Sequence, residues 1–130
     1  MWEFHGEAPI YAQLMERVER RIVSGTLAPG ERLPSVRALA LEAGVNPNTV
    51  QKALTELERG GLIYSQRTAG HFVTRDPEKV AAARDRLARQ ETARFLARMA
   101  ELGLEREEIE GRLRRQLNRE EGEANGDSVL

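Results

Sequence analysis

The segment from Gly44 to Gly60 constrains the fold most, because it carries a complete set of signals for one short helix. Asn46 is a favourable N-cap, since its side-chain oxygen can accept a hydrogen bond from an unpaired backbone N–H. Pro47 follows at the first helical position, where its missing N–H costs nothing, and Gly60 with Gly61 ends the helix. The apolar residues recur at helical spacing and share one face, namely Val50, Ala53, Leu54 and Leu57.

The opposite face of this predicted helix carries amide and hydroxyl groups as well as charge. Its residues are Asn48, Lys52, Thr55 and Arg59, with Gln51 on the flank. Side chains of these types can hydrogen-bond to base edges and phosphates, although an ordinary amphipathic surface helix would have a similar face. The flanking segments distinguish the two interpretations.

A second short helix precedes this one in the sequence. It is predicted to begin within residues 33–40, with Ser35 as the candidate N-cap, and Gly44 closes it. The residues of its buried face are Val36, Leu39, Ala40 and Ala43. Only Val45 separates Gly44 from the next N-cap, Asn46. Two short helices joined by a tight glycine-containing turn form the helix-turn-helix pattern, in which the second helix is presented outward.

A longer helix is predicted upstream, from Pro9 to about Ser24. Its apolar stripe repeats every four residues and comprises Ile10, Leu14, Val18 and Ile22, supported by Tyr11 and Met15. Trp2 and Phe4 lie before this helix, and we expect them to pack on the body of the chain or on a partner subunit.

Downstream of Gly61 the apolar pattern changes from helical to strand-like. Residues 62–66 and 71–74 have strand character, and residues 67–70 are predicted to form the hairpin turn between them. A hairpin directly after a recognition helix is a wing, so Arg67 and Thr68 near its tip are candidates for minor-groove or phosphate contact. The alternative is a hairpin that only closes the core, which Leu62, Ile63 and Phe72 are expected to do in either case.

Two further helices follow, and neither can bury its apolar stripe alone. The first starts with Asp76 as N-cap and Pro77 at the first helical position and extends to Gly103, whereas the second spans about Glu105 to Arg119. The first is ~40 Å long at ~1.5 Å per residue, and an identical subunit is the simplest partner for its stripe. Packing on the chain's own first helix is the alternative. The predicted dimerisation residues are Val80, Leu87, Phe95, Leu96, Met99, Ile109, Leu113 and Leu117.

The predicted fold class is therefore mainly α with a small β-hairpin. Residues 1–75 form a winged helix-turn-helix, and residues 76–119 form a two-helix dimerisation segment. Residues 120–130 are acidic and contain glycine, so they are predicted to be a disordered tail.

Composition excludes several classes of function. The 130-residue chain has no cysteine, which rules out disulfides and thiolate metal sites, and no apolar run approaches the ~20 residues of a membrane span. Its two histidines are far apart and no catalytic constellation is present, so we expect no enzyme activity, no metal site and no cofactor. A cytoplasmic location is the default expectation.

The charge distribution bears on DNA binding. The net charge is −1, yet residues 46–75 carry four basic and two acidic side chains. Local charge governs phosphate contact more than the total does. The candidate DNA-binding surface is only weakly basic, so tight binding should require two copies of it.

Three segments resemble the GntR family of transcriptional regulators. They are residues 25–40, Gly-Thr-Leu-Ala-Pro-Gly-Glu-Arg-Leu-Pro-Ser-Val-Arg-Ala-Leu-Ala, residues 45–53, Val-Asn-Pro-Asn-Thr-Val-Gln-Lys-Ala, and residues 57–63, Leu-Glu-Arg-Gly-Gly-Leu-Ile. The sequences of these segments are similar to those of the YtrA-like subfamily, and the resemblance covers about residues 9–75.

This resemblance implies a homodimer that binds double-stranded operator DNA, and a repressor is the expected role. The family's second helix supplies an arginine, which Arg37 matches, and the start of the recognition helix and the wing tip supply further contacts. The candidate DNA-binding residues are Ser35, Arg37, Asn46, Asn48, Thr49, Gln51, Lys52, Arg67 and Thr68. Many relatives carry arginine where this chain has Pro47 and Gln51, so base preference cannot be carried over.

Two functions from different classes remain open at this point. One is a sequence-specific transcriptional regulator, and the other is a winged-helix protein-interaction module without specific DNA binding. The residues after Asp76 are too few for the large effector domains of some relatives, so whether a small-molecule effector binds is also open.

Overall fold

The computed structural model describes the backbone of residues 1–129 and the side chains of residues 1–124. It contains five helices and one antiparallel hairpin within this range. The elements are α1 (Ile10–Val23), α2 (Val36–Ala43), α3 (Pro47–Arg59), β1 (Ile63–Gln66), β2 (Gly70–Val73), α4 (Pro77–Glu101) and α5 (Arg106–Val129). This order confirms the predicted fold class of a mainly helical winged helix-turn-helix followed by two helices.

The helix caps are those that the sequence predicts. The Ser35 Oγ accepts a hydrogen bond from the Ala38 N–H at 3.0 Å, and the Asn46 Oδ1 accepts one from the Asn48 N–H at 2.8 Å. Gly44 ends α2 in the left-handed conformation, with φ of 73°, where a side chain is disfavoured. Because this turn is so short, the start of α3 is fixed relative to α2.

One hydrophobic core holds the first three helices and the hairpin together. Its fully buried members come from α1, α2, α3 and both strands, and the largest are Leu14, Val18, Leu39, Val50, Leu54, Leu57, Ile63 and Val73. Trp2 and Phe4 are partly buried against this core. Of the two expected partners, it is the body of their own chain that they contact. The Arg17 guanidinium lies 5.1 Å from the centre of the Trp2 ring and reinforces this packing.

The hairpin also forms a bridge with a third segment, which the sequence did not indicate. Strands β1 and β2 pair from Ile63 opposite Val73 to Gln66 opposite Gly70. Residues 31–33 then add to the free edge of β2. The Leu33 N–H donates to the His71 carbonyl and the Val73 N–H donates to the Glu31 carbonyl, both at 2.9 Å. The start of the wing is thereby tied to the segment that leads into α2.

The chain forms two compact units, of which the first is Met1–Leu87 and the second begins at Ala88. The first unit therefore extends beyond the predicted boundary at residue 75. The start of α4 packs on the body of the same chain. Val80 and Ala83 lie against its core, and Arg84 donates to the Val23 carbonyl at 2.8 Å.

The second unit contains the rest of α4 and α5. After α4 the chain turns at Gly103, and the Leu104 N–H donates to the Met99 carbonyl at 3.2 Å. The sequence predicts a disordered tail from Glu120, whereas α5 continues to Val129 in the structure. Glutamate and alanine are good helix formers and the segment has no proline, so nothing interrupts the helix despite Gly122. Leu130 lies outside the described residues.

Candidate nucleic-acid interface

Helix α3 presents the predicted polar face to solvent. Four of its apolar residues are buried at 0–1% exposure, namely Val50, Ala53, Leu54 and Leu57. Because these fix the rotation of the helix, Asn48, Gln51 and Lys52 lie exposed on the other side, and Thr49 is half-buried at the edge. The amide and ammonium groups near the start of α3 are therefore accessible to a ligand as large as double-stranded DNA.

Two of the candidate DNA-binding residues also serve as caps. The Ser35 oxygen and the Asn46 Oδ1 are occupied by backbone N–H groups of their own helices. The donor groups of these side chains are the parts that could reach DNA. Arg37 is exposed in the first turn of α2, so its guanidinium is accessible from solvent and does not pack in the core.

Lys52 has a neighbour that the sequence analysis did not associate with it. Its Nζ lies 4.1 Å from the centre of the Tyr11 ring on α1. The two side chains border a shallow cleft of about 420 Å³, whose lining is completed by Ile10, Asn48 and Thr49. Three candidate DNA-binding residues thus share one concave surface with the first turn of α1.

The wing tip is exposed and conformationally unusual. Arg67 and Thr68 are both exposed, and the turn is closed by the Ala69 N–H donating to the Gln66 carbonyl at 3.0 Å. Thr68 has a φ of 66°, a left-handed conformation that is uncommon for a β-branched residue. Gly70, at a φ of 103°, leaves space beside it for the guanidinium of Arg32. The tip therefore carries positive charge from two segments.

The two acidic residues of α3 are held away from its first turns. Glu56 forms an ion pair with Arg59 at 2.8 Å. The Glu58 carboxylate accepts a hydrogen bond from the Ser65 N–H at 3.0 Å, which also fastens β1 to α3. Since both carboxylates lie in the second half of the helix, Lys52 and its neighbours face no acidic group within the cleft.

The candidate dimerisation residues divide into two groups. Leu87 is 5% exposed and is covered without a partner, whereas Val80 is half-buried against the core of its own chain. The burial of Leu87 corrects its assignment to a dimer seam, and the assignment of Val80 stays a prediction. Helical periodicity shows that a stripe must be buried but not which surface buries it, and here the alternative of packing on the same chain holds for the start of α4.

The remaining members of the stripe lie in the second unit. Leu96, Leu113 and Leu117 are 46%, 45% and 57% exposed, respectively. Phe95 and Met99 border a cleft of about 340 Å³ between α4 and α5, together with Leu113 and three arginines of α5. Ile109 is half-buried. This unit therefore exposes apolar side chains that its own two helices do not cover.

Other kinds of site are not found in the part of the chain described. Among those residues, no group of three or more histidine, aspartate or glutamate side chains is placed to hold a metal ion. None of the helices searched combines the length and apolar character of a membrane span.

An exposed polar recognition helix, followed by a basic wing on the same core, defines a winged helix-turn-helix DNA-binding protein. The family model described as bacterial regulatory proteins, gntR family, matches residues 10–73. A relative in Bacillus subtilis, the uncharacterized HTH-type transcriptional regulator YhcF, is 39% identical over 107 residues, which cover 82% of this chain and 88% of YhcF. The chain therefore belongs to the GntR family.

Further comparisons agree with this membership. The HTH-type transcriptional repressor YtrA of Bacillus subtilis is 44% identical over 66 residues, about half of each chain. A GntR family transcriptional regulator from Listeria monocytogenes has 36% identity and a TM-score of 0.77, covering 86% of this chain and 98% of that one. The DNA-binding domain of AraR in complex with operator ORX1 has 32% identity and a TM-score of 0.53, covering 55% of this chain and 93% of that one.

Family membership confirms the resemblance that the sequence shows. The protein is a DNA-binding transcriptional regulator, and the alternative of a protein-interaction module without specific DNA binding is not supported. The family and these relatives are regulators and not enzymes, in agreement with the composition.

Proposed function

We propose that the protein represses transcription by binding an inverted-repeat operator in the cytoplasm as a homodimer. The observation that carries the proposal is the exposed face of α3, where Asn48, Gln51 and Lys52 project from a helix fixed by the core. The relative YtrA is named a repressor, and the DNA-binding domain of AraR was solved with an operator. Both support the same role for this chain.

Each candidate residue has a distinct part in this proposal. Asn48 and Gln51 contact base edges, because an amide can form a bidentate pair with adenine. Arg37 and Lys52 contact phosphate or guanine. Ser35, Asn46 and Thr49 contribute hydrogen-bond donors at the helix starts. Arg67 and Thr68 at the wing tip contact the minor groove or a phosphate.

The candidate DNA-binding residues together form one surface of the chain, called the reading surface below. Two copies of this surface are needed because one is only weakly basic. Joining two surfaces on one duplex can raise the overall affinity by ~10²–10⁴ without any new contact. The exposed and half-buried apolar residues of the second unit supply the interface for a two-fold dimer in this proposal, and they are Phe95, Leu96, Met99, Ile109, Leu113 and Leu117. A two-fold protein reads an inverted repeat, with half-sites about one helical turn apart.

Selection of bound DNA from a random pool tests whether the protein binds DNA sequence-specifically as proposed. The full chain should enrich one motif with two related halves, and a variant with Asn48→Ala and Gln51→Ala should lose preference at one or two positions in each half. An enriched single half-site, or the same motif from both proteins, would contradict the proposal. A reporter gene with the enriched motif at its promoter should be expressed less when the protein is present, and increased expression would indicate an activator.

The dimer has its own test. Phe95→Glu with Leu96→Glu places two charges in the apolar surface of the second unit, so the mass in solution should fall to that of one chain and operator affinity should drop at least a hundredfold. Gln90→Glu with Ala97→Glu is the matched control, because both residues are exposed and, at helical spacing, lie on the side of α4 opposite Phe95, Leu96 and Met99. The dimer assignment fails if the first variant keeps the mass of two chains.

A further inference from the structure

Tyr11 stands at the edge of the reading surface without any role in the family-based assignment of DNA contacts. It lies in the first turn of α1 and is half-buried against the core. Its ring is the surface over which the Lys52 ammonium rests, with 4.1 Å between Nζ and the ring centre. The aromatic side chain and the cation therefore come from two helices that meet at this point.

The contact with the Tyr11 ring affects how Lys52 can bind an anion. An ammonium attracted to the face of an aromatic ring is held by the ring quadrupole, which uses no conventional hydrogen-bond acceptor. Those N–H donors of the Lys52 ammonium that point away from the ring remain able to bind an anion. A free lysine loses considerable rotamer freedom when it is fixed, and Tyr11 reduces this loss by confining Lys52 before DNA arrives.

The surroundings favour a phosphate as the anion. The cleft of about 420 Å³ is lined by Lys52 and Tyr11 together with Ile10, Asn48 and Thr49, and it has no acidic residue in its lining. The Tyr11 ring, the Thr49 hydroxyl and the Asn48 amide border the same concavity as the ammonium. A phosphate of the DNA backbone that passes beside the start of α3 would meet a positive charge and neutral polar groups.

We propose that Tyr11 is a positioning residue that holds Lys52 over its ring and thereby prepares the ammonium to bind a backbone phosphate of the operator. The proposal rests on the function proposed above, because it assigns a partner to Lys52 within the same reading surface. It differs from a direct contact, since the ring acts through Lys52 and the tyrosine hydroxyl is not required.

The test uses the full chain and the DNA motif that the wild-type protein selects. Tyr11→Leu removes the ring, Tyr11→Phe keeps the ring without the hydroxyl, and Lys52→Ala removes the cation. A cation–π contact at an exposed site corresponds to about a two- to fivefold change in an equilibrium constant. Because a dimer makes the contact twice, Tyr11→Leu should weaken operator binding about five- to thirtyfold, and Tyr11→Phe should bind as the wild type does.

A double-mutant cycle separates positioning from a general structural effect. In the Lys52→Ala background, Tyr11→Leu should cause no further loss, because the residue on which Tyr11 acts is gone. Lys52→Ala itself should reduce the dependence of log affinity on log salt by about two units, one per half-site. Tyr11→Leu should leave this slope nearly unchanged, since the charge is still present and only its placement is lost.

Three results would overturn the inference while leaving the proposed function intact. The first is an equal loss from Tyr11→Leu with and without Lys52, which would indicate a structural role. The second is a loss from Tyr11→Phe as large as that from Tyr11→Leu, which would indicate a direct contact by the hydroxyl. The third is wild-type affinity for Tyr11→Leu. A wild-type protein that selects no motif would instead overturn the proposed function together with this inference.

Discussion

Arg86→Ala should destabilise the protein, because it removes the partner of a buried carboxylate. Glu19 on α1 has a side chain that is 4% exposed, and it is paired with the Arg86 guanidinium on α4, which is 49% exposed. This pair joins the helix at the centre of the core to the helix that leads into the second unit. Truncating the arginine leaves the carboxylate charged in a site that water reaches poorly.

The exposed fractions of the Glu19 and Arg86 side chains determine how large the loss of stability should be. Removing one partner of a fully buried ion pair costs about 3–5 kcal/mol, whereas an exposed pair contributes about 0–1 kcal/mol. Here the carboxylate is buried but the vacated arginine position opens to solvent, so water can hydrate the carboxylate in part. We therefore expect a loss of about 2–3 kcal/mol in the free energy of unfolding, between the two limits.

Urea denaturation at one fixed protein concentration measures this loss, since oligomer stability depends on concentration. Arg106→Ala is the matched control, because Arg106 and Glu110 form an ion pair with side chains 87% and 56% exposed, and we expect a change within ~0.5 kcal/mol. Adding Glu19→Leu to Arg86→Ala should recover most of the lost stability, because the unpaired charge is then gone. A double variant that is less stable than Arg86→Ala alone would refute the reasoning.

Three further changes concern the reading surface and its wing. Asn46→Ala removes the N-cap of α3 and should cost about 1 kcal/mol by urea denaturation, whereas Asn46→Asp should keep most of this stability; equal losses would contradict a capping role. Arg67→Ala should weaken operator binding in a titration without lowering the melting temperature, and a melting temperature lowered as much as by Leu54→Ala, which should cost about 2–5 kcal/mol, would mean that Arg67 is structural. Thr68→Asn should raise the free energy of unfolding by about 0.5–1 kcal/mol, because asparagine tolerates the left-handed conformation better, and a decrease would show that the turn is not strained.

The elements of the helix-turn-helix could be predicted from the sequence because their signals are local. A cap such as Asn46 acts on an N–H two residues away, and the burial of Leu54 or Leu57 follows from helical spacing alone. The same reasoning placed the wing and the polar face of α3, and it supplied the resemblance to a known family. In each case the information lies within a few residues along the chain.

The tertiary structure decided which surfaces meet. The stripe of α4 is continuous in sequence, yet Val80 and Leu87 pack within the first unit whereas Leu96 stays half exposed. Residues 31–33 join the hairpin, and Tyr11 comes beside Lys52 although 40 positions separate them in sequence. Periodicity reports that a face is apolar or polar, but its partner is chosen by the packing of segments that are distant along the chain, and only the folded coordinates contain that choice.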